Sequence, residues 1–169
     1  MIDAGVFAED ERLELLEGMI VEMSPQNPRH AFVIRRLCDA RFVSPGPGCM
    51  VQCQLPLTLG SDSESEPDVA VVSRAAGGDR SAHPATALLV FEVAGESLRR
   101  DRLVKAALYA AARIPEYVIV NLLEDCLEVH RDPDASARRY RTVTTLAAQD
   151  RFESSAAPGF SFSVADLLS

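Results

Sequence analysis

One carboxylate stands inside an apolar run of this sequence, where a charge is unfavourable. Residues 87–93 read Ala-Leu-Leu-Val-Phe-Glu-Val, and a continuous apolar run of this length is typical of a strand buried on both faces. A carboxylate in such a strand needs a charged partner, a metal ion or a bound proton to offset the cost of burial. We therefore expect Glu92 to act together with other polar side chains.

A second carboxylate could meet Glu92 at one edge of a sheet. Asp68 follows Pro67 at the start of the preceding predicted strand, and neighbouring strands can bring the two acids together. Magnesium binds a few carboxylate or carbonyl oxygens and completes its octahedron with water. The pair is compatible with a metal site, but two acids alone are weak evidence because many strands begin or end with an acid, so these two residues by themselves favour a purely structural role.

A basic residue that could complete the chemistry lies on the clearest predicted helix, residues 97–113. Asp101, Lys105 and Tyr109 are spaced four apart and share one helix face, distinct from an alanine-rich stripe. In one interpretation Asp101 and Lys105 form a surface ion pair, worth about 0.3–0.5 kcal/mol. In the other, Lys105 lies over the strand end that carries Glu92, where its ammonium could orient a water molecule or stabilise developing negative charge. The spacing alone slightly favours the ion pair.

The surrounding pattern predicts a mixed sheet with at least two helices. Asn27-Pro28 marks the start of the first helix, which we expect to end near Phe42. The second helix is predicted to bury a stripe formed by Leu103, Ala106, Ala107, Ala110, Ala111 and Ile114. The main predicted strands span residues 19–23, 51–59, 68–72, 87–93, 117–120, 126–131 and 140–145. Strand-helix-strand over residues 87–120 predicts a right-handed crossover with a parallel pair, so the fold class is α/β or α+β.

The composition is that of a globular protein with an acidic surface. The chain has 169 residues, which favours a single domain spanning 1–169. Its net charge of −8 argues against broad nonspecific binding to nucleic acid but permits a local basic cleft. The sequence has no basic signal-peptide start and no apolar run of about 18 residues. We therefore expect a cytoplasmic protein that does not enter the membrane.

Several other polar residues carry weaker signals. We expect free thiols at all four cysteines, which are Cys38, Cys49, Cys53 and Cys126. His30, in the first turn of the first helix, is predicted to pack or to be solvated rather than to take part in catalysis. A basic cluster at the start of the second helix is either a phosphate-binding patch or an ordinary solvated helix start, and it consists of Arg99, Arg100 and Arg102.

The order and spacing of several motifs resemble the Uma family of restriction-endonuclease-like proteins over nearly the whole chain. The matching motifs are Leu13-Glu14-Leu15-Leu16-Glu17-Gly18, Pro28-Arg29-His30, Pro67-Asp68, Phe91-Glu92-Val93, Asp101-x-x-x-Lys105-x-x-x-Tyr109 and Pro115-Glu116-Tyr117. That family has the PD-(D/E)xK nuclease fold. The resemblance therefore implies an α/β, restriction-endonuclease-like domain with a central mixed β-sheet flanked by α-helices.

The resemblance also implies roles for individual residues. Asp68 and Glu92 would bind magnesium or manganese, helped by the main-chain carbonyl of Val93. Glu14 would complete the acidic cluster. The lysine that usually lies two residues after the second acid is absent, and Lys105 on the following helix matches its replacement. The implied catalytic set is therefore Glu14, Asp68, Glu92 and Lys105.

Two functions are compatible with the sequence. The first is magnesium-dependent hydrolysis of DNA phosphodiester bonds by a homodimer, because two active sites are needed to cut both strands of a duplex. The second is a non-catalytic nuclease fold that acts as a dimeric binding or regulatory module, which the acidic composition favours. Positive potential confined to the cleft around Lys105, Arg99, Arg100 and Arg102 would favour the first, and a wholly acidic cleft mouth would favour the second.

Overall fold

The computed structural model of the protein describes residues 12–23, 25–39 and 46–169. Its helices are α1 (Pro28–Cys38), α2 (Arg74–Gly77), α3 (Leu98–Arg100), α4 (Ala106–Ala111) and α5 (Val164–Leu168), with a π-helical turn over Asp101–Lys105. Its strands are β1 (Leu13–Leu16), β2 (Met19–Glu22), β3 (Cys49–Cys53), β4 (Leu57–Thr58), β5 (Glu64–Ser65), β6 (Val69–Ser73), β7 (Leu89–Ala94), β8 (Glu116–Asn121), β9 (Cys126–Asp134), β10 (Arg139–Leu146), β11 (Arg151–Glu153) and β12 (Ser161–Ser163). In these parts of the chain, no helix has the length and apolar character needed to cross a membrane.

Six strands form a central mixed sheet in the order β10-β9-β8-β7-β6-β3. Strands β7 and β8 are parallel, and all other neighbours in this sheet are antiparallel. The chain leaves β7, passes through α3 and α4, and returns as β8. The predicted parallel pair is therefore confirmed, and so is the mixed sheet of an α/β fold.

Apolar side chains cover both faces of the central sheet, as the apolar run over residues 87–93 predicts. On one face, Phe91 belongs to a cluster with Val33 of α1 and Phe152 of the C-terminal region. On the other face, Val90 belongs to a cluster with α4 and with the smaller sheet β2-β1-β5-β4. Because successive strand residues alternate between faces, Glu92 points to the side that carries α4 and the smaller sheet.

Helix α1 begins where its local sequence predicts. The side chain of Asn27 caps the helix by accepting a hydrogen bond from the main-chain N–H of His30 at 2.9 Å. Pro28 occupies the first turn, where a missing N–H donor has no cost. The described helix ends at Cys38, whereas the predicted end near Phe42 lies outside the described residues.

A disulfide bond links the end of α1 to β3. Cys38 is bonded to Cys53, because packing of the helix against this strand brings the two Cα atoms within 6.7 Å. The prediction of free thiols is therefore wrong for this pair. Cys49 and Cys126 are free, as predicted.

The strand predicted over residues 51–59 is divided between two sheets. Strand β3 pairs with β6 in the central sheet, whereas β4 pairs with β5 in the smaller sheet. Gln54 between them has a φ of 52°, a left-handed conformation that turns the chain. Pro56 follows and cannot donate a hydrogen bond to a strand ladder. The alternating pattern thus predicts extended conformation but not the change of sheet.

The helix predicted over residues 97–113 is present, and Ala106, Ala110 and Ile114 of its predicted stripe are buried, but its buried surface also includes a second face. Leu103 is 62% exposed, whereas Asp101 and Lys105 are 2% and 3% exposed. Asp101 and Lys105 are the first and last residues of the π-helical turn, in which the N–H of Ala106 donates to the carbonyl of Asp101 five residues earlier. Burial of this turn places Asp101 and Lys105 inside the protein. Their interpretation as a surface ion pair is therefore wrong.

Candidate active site

Two strand ends bring Asp68 and Glu92 together at one end of the central sheet. Strands β6 and β7 are antiparallel with Val69 opposite Phe91, and this register continues to Asp68 beside Glu92. The main-chain N–H of Val93 donates to Asp68 Oδ2 at 2.8 Å, which holds this carboxylate against β7. The two acids thus meet where the sequence predicts them to meet.

Lys105 joins the acid of β7 to an acid of β1. Its Nζ donates to Glu92 Oε1 at 2.8 Å and to Glu14 Oε1 at 2.9 Å. All three side chains are at most 6% exposed, so solvent and salt screen these ion pairs little. An ammonium group has three N–H donors, and these two contacts leave the third for a water molecule or a substrate.

Two hydroxyl groups close a ring around Lys105. Tyr109 OH donates to Glu92 Oε1 at 2.7 Å, and Ser65 Oγ donates to Glu14 Oε1 at 3.1 Å. The two hydroxyl oxygens are 2.9 Å apart, which completes the circuit. We refer to these five residues as the buried ring, which consists of Glu14, Ser65, Glu92, Lys105 and Tyr109.

The buried ring holds a carboxyl group with a strongly altered acidity. Burial raises the pKa of Glu92 to about 8, although the positive charge of Lys105 lowers it. Asp68, Asp101 and Glu14 contribute to the rise, because neighbouring acids disfavour a further negative charge. Burial opposes the charge of Lys105, but the surrounding carboxylates outweigh it and raise the pKa of the ammonium. Near neutral pH, Lys105 is therefore protonated and Glu92 can readily exchange a proton.

A small cavity of about 30 Å³ opens beside the buried ring, and we refer to it as the acidic cavity. Its walls include the side chains of Glu14, Asp68, Glu92 and Asp101. His30 also lines it, and its Nε2 lies 3.1 Å from Asp68 Oδ1. His30 thus contacts an expected catalytic residue, a role that its position in a first helical turn does not indicate.

The oxygen atoms at the acidic cavity fit a hard divalent cation that keeps part of its water shell. The carboxylates of Asp68 and Glu92 and the carbonyl of Val93 are ligands of the kind that magnesium binds. Within residues 12–23, 25–39 and 46–169, no three His, Cys, Asp or Glu side chains converge as a metal-binding group. In the same ranges Glu14 Oε2 is buried without a hydrogen-bond partner, an acidic oxygen that a nearby cation would stabilise.

The sequence assigns no role to two members of the buried ring. Ser65 lies in the two-residue strand β5 and is fully buried, but a serine in a short polar segment gives no signal of its function. Tyr109 lies four residues after Lys105, and this spacing is the signal that could have identified it. The expected residues Glu14, Asp68 and Glu92 lie together with Lys105 in the structure.

Known proteins resemble this chain in fold and in family. A solved structure described as "a putative nuclease belonging to DUF820 from Anabaena variabilis" is similar with a TM-score of 0.75 and 15% sequence identity, over 98% of this chain and 94% of that chain. At this identity the likeness shows a shared fold. No curated protein matches the chain significantly. The family model "Uma2: Putative restriction endonuclease" matches residues 3–165. The chain therefore belongs to the Uma2 family.

Proposed function

We propose that the protein is a magnesium-dependent endonuclease that hydrolyses DNA phosphodiester bonds. The observation that carries this proposal is Lys105, buried between Glu92 and Glu14 beside Asp68 at the end of the sheet. A protonated lysine next to paired carboxylates suits a reaction in which a metal ion binds the acids and negative charge develops on a phosphate. Membership of the Uma2 family supports a nuclease.

Each residue of the site has a distinct role in this proposal. Asp68, Glu92 and the carbonyl of Val93 would hold magnesium or manganese, which when bound lowers the pKa of a water molecule and offsets phosphate charge. Lys105 is held protonated by the surrounding carboxylates, so it orients water or stabilises developing charge rather than accepting a proton. Glu14 positions Lys105 through its 2.9 Å contact.

Cleavage of supercoiled plasmid and of single-stranded DNA, with magnesium and with manganese, tests the proposal. Glu92→Gln removes the carboxylate but keeps the shape of the side chain, and we expect it to reduce cleavage about 100-fold or more. The matched control is Glu96→Gln, an exposed acid in the neighbouring loop, which should cleave like wild type. Equal cleavage by wild type and Glu92→Gln would contradict the proposed site.

We further propose that residues 1–169 act as one domain and that two copies assemble to cut both strands of a duplex. Strand β2 lies at the edge of the smaller sheet, and its Met19 and Ile20 are 60% and 43% exposed. Exposed apolar side chains on an edge strand are a common basis for an interface. Light scattering should give a dimer for wild type and a monomer for Met19→Lys, and a wild-type monomer at every concentration would exclude the homodimer.

The acidic surface favours a second candidate, a nuclease fold that binds or regulates without catalysis. The net charge is −8, and carboxylates line the cavity at the sheet end. This candidate predicts a metal-binding or DNA-binding protein that leaves DNA intact. Plasmid that stays supercoiled with both metals, together with a wild-type melting temperature raised by magnesium, would favour this candidate over the endonuclease.

A further inference from the structure

We propose that Arg100 and Arg12 form an anion-binding subsite at the acidic cavity, and that this subsite holds a phosphate group of a nucleic-acid backbone. The chemical class of the ligand is a phosphate oxyanion. The choice of nucleic acid as the source of this phosphate rests on the proposed function. The positions and charges of the two arginines are independent of that function.

The structure separates three arginines that the sequence presents as one basic cluster. Arg102 forms a bidentate ion pair with Glu128, in which Nε donates at 2.9 Å and Nη2 donates at 2.6 Å, so its charge is paired. Arg99 is exposed and borders a separate, mainly apolar groove. Arg100 lines the acidic cavity. Of the three, Arg100 is therefore the one placed to contact a ligand in that cavity.

Arg100 keeps hydrogen-bond donors that its protein contacts do not use. Its Nη1 donates to the main-chain carbonyl of Glu22 at 3.0 Å. Its Nε is buried and has no partner among the residues that the structure describes. A buried donor without a protein partner is unfavourable, and beside a cavity such a donor is suited to bind an anion. The Nε and Nη2 hydrogens lie along one edge of the guanidinium, and this edge matches two oxygens of a phosphate.

Arg12 supplies a second positive charge at the same cavity. It is exposed, and it lines the acidic cavity together with Arg100. The cavity also presents several carboxylates on a protein of net charge −8, so a polyanion approaching it meets repulsion. Cationic side chains outside the buried ring offset this repulsion, and the two arginines are suited to do so before and after a metal ion binds.

Binding of a short fluorescent DNA duplex in calcium, followed as a function of salt concentration, tests the subsite without requiring cleavage. Loss of one phosphate contact lowers the slope of log affinity against log salt by about 0.9 for duplex DNA. We expect Arg100→Gln to lower the slope by about this amount and to weaken binding about 10-fold at low salt. Arg99→Gln changes the same charge one residue away and should leave the slope unchanged.

The salt slopes of the two variants decide whether the subsite exists. Equal slope changes in Arg100→Gln and Arg99→Gln would assign the effect to the general charge of the helix, and an unchanged slope in Arg100→Gln would remove the contact itself. If Arg100→Gln fails to fold, Arg100→Lys replaces it, because it keeps the charge but loses the two-donor edge. Because lysine keeps the charge, the slope should stay as in wild type, and wild-type affinity in Arg100→Lys would then overturn the proposal.

Separate arms of the experiment distinguish the ligand and the activity. Inorganic phosphate that raises the melting temperature of wild type but not of Arg100→Gln, without any DNA binding, would overturn nucleic acid as the ligand. Wild type that binds neither DNA nor phosphate would overturn the subsite itself. A reduced slope in Arg100→Gln, with no plasmid cleavage by wild type, would support the subsite and contradict the proposed endonuclease. Plasmid cleavage by wild type, with an unchanged slope in Arg100→Gln, would support the endonuclease and contradict the subsite.

Discussion

At the scale of single residues, the buried ring has three oxygen–oxygen contacts but only two hydroxyl protons to form hydrogen bonds across them. Three oxygen–oxygen contacts run from Glu14 through Ser65 and Tyr109 to Glu92. The serine and tyrosine hydroxyls supply one proton each. A proton on Glu92 supplies the third, because protonated Glu92 donates to Tyr109, which then donates to Ser65, whereas Tyr109 donates to the ionised form. The pKa of Glu92, raised to about 8 by burial, makes the protonated form available near neutral pH. The metal-free ring is thus a closed chain of hydrogen bonds that includes one exchangeable proton.

This exchangeable proton predicts how magnesium binding depends on pH. A metal ion binds the carboxylate form of Glu92, so it competes with the proton wherever the pH lies below the raised pKa of about 8. We expect affinity to increase up to about tenfold per pH unit below that pKa and to level off above it. Calorimetry in buffers of different ionisation enthalpy should detect release of a proton. An affinity that is constant on both sides of pH 8 would contradict the prediction.

The hydroxyl of Tyr109 should matter for activity more than for stability. Tyr109→Phe removes the 2.7 Å contact to Glu92 and the contact to Ser65. We expect cleavage to fall about 10- to 100-fold because the carboxylate loses its orientation, and the free energy of unfolding to fall by about 1 kcal/mol. Tyr140→Phe is the matched control, since its hydroxyl donates to the carbonyl of Ile114, outside the site. Equal loss of cleavage in both variants would contradict a specific role.

At the scale of elements, local signals predict the parts of the fold that local physics determines. The start of α1 follows from Asn27 and Pro28, because a side-chain cap and a fixed φ act within one helical turn. The parallel pair β7 and β8 follows from the order of strand, helix and strand, since a helical crossover is the usual connection between parallel strands. These elements place Glu92 at the sheet end.

The π-helical turn is not predictable from spacing, because distant residues decide which helix face is buried. Periodicity correctly predicts burial of Ala106, Ala110 and Ile114, but it also favours burial of Leu103, which is 62% exposed, and it gives no reason to bury Lys105. The face that carries Lys105 is buried because Glu92 and Glu14 lie opposite it and offset the cost of an enclosed charge. Glu92 and Glu14 both lie outside the helix that carries Lys105, so the local spacing of residues around Lys105 cannot predict these contacts.

The C-terminal hairpin is a further element that local patterns miss. Strands β11 and β12 have three residues each, too few for a clear alternation of apolar and polar side chains. Their pairing places Phe152 opposite Phe162, and both rings lie near Phe91 at centroid distances of 5.6 Å and 6.2 Å. Contacts between distant aromatic residues, rather than strand propensity, therefore hold this hairpin on the sheet.

These contacts predict a large effect of truncating Phe152, which is fully buried. Phe152→Ala should lower the free energy of unfolding by about 3–5 kcal/mol, measured by urea denaturation. Cleavage per folded molecule should match wild type, because the hairpin covers the face of β7 opposite Glu92. Val143→Ala removes an exposed apolar side chain and serves as the control. A loss in Phe152→Ala no larger than that of the control would contradict this account.

At the scale of the whole molecule, the candidate site depends on contacts between distant segments. Glu14 comes from the smaller sheet, Glu92 from the central sheet, and Lys105 from the helical crossover between two central strands. Reasoning from residue types reached Glu92, because an acid inside a buried strand is unusual, and it suggested Asp68 as a possible neighbour at a strand end. Glu14 required the family resemblance, since an acid in a short N-terminal strand is ordinary until its partners are known.

The fold of the metal-free protein should therefore respond to pH through Glu92. Its folded pKa of about 8 exceeds the ordinary value of 4.5, so the folded protein keeps a proton that the unfolded chain releases. The resulting stability is complete below the unfolded pKa and is lost as the pH rises through about 8. We expect the melting temperature without metal to decline between pH 4.5 and about 8 in wild type, and to decline less in Glu92→Gln. At the alkaline end of this range, magnesium should raise the melting temperature of wild type again. Parallel pH profiles of melting temperature for wild type and Glu92→Gln would contradict the assignment of the pH dependence to Glu92.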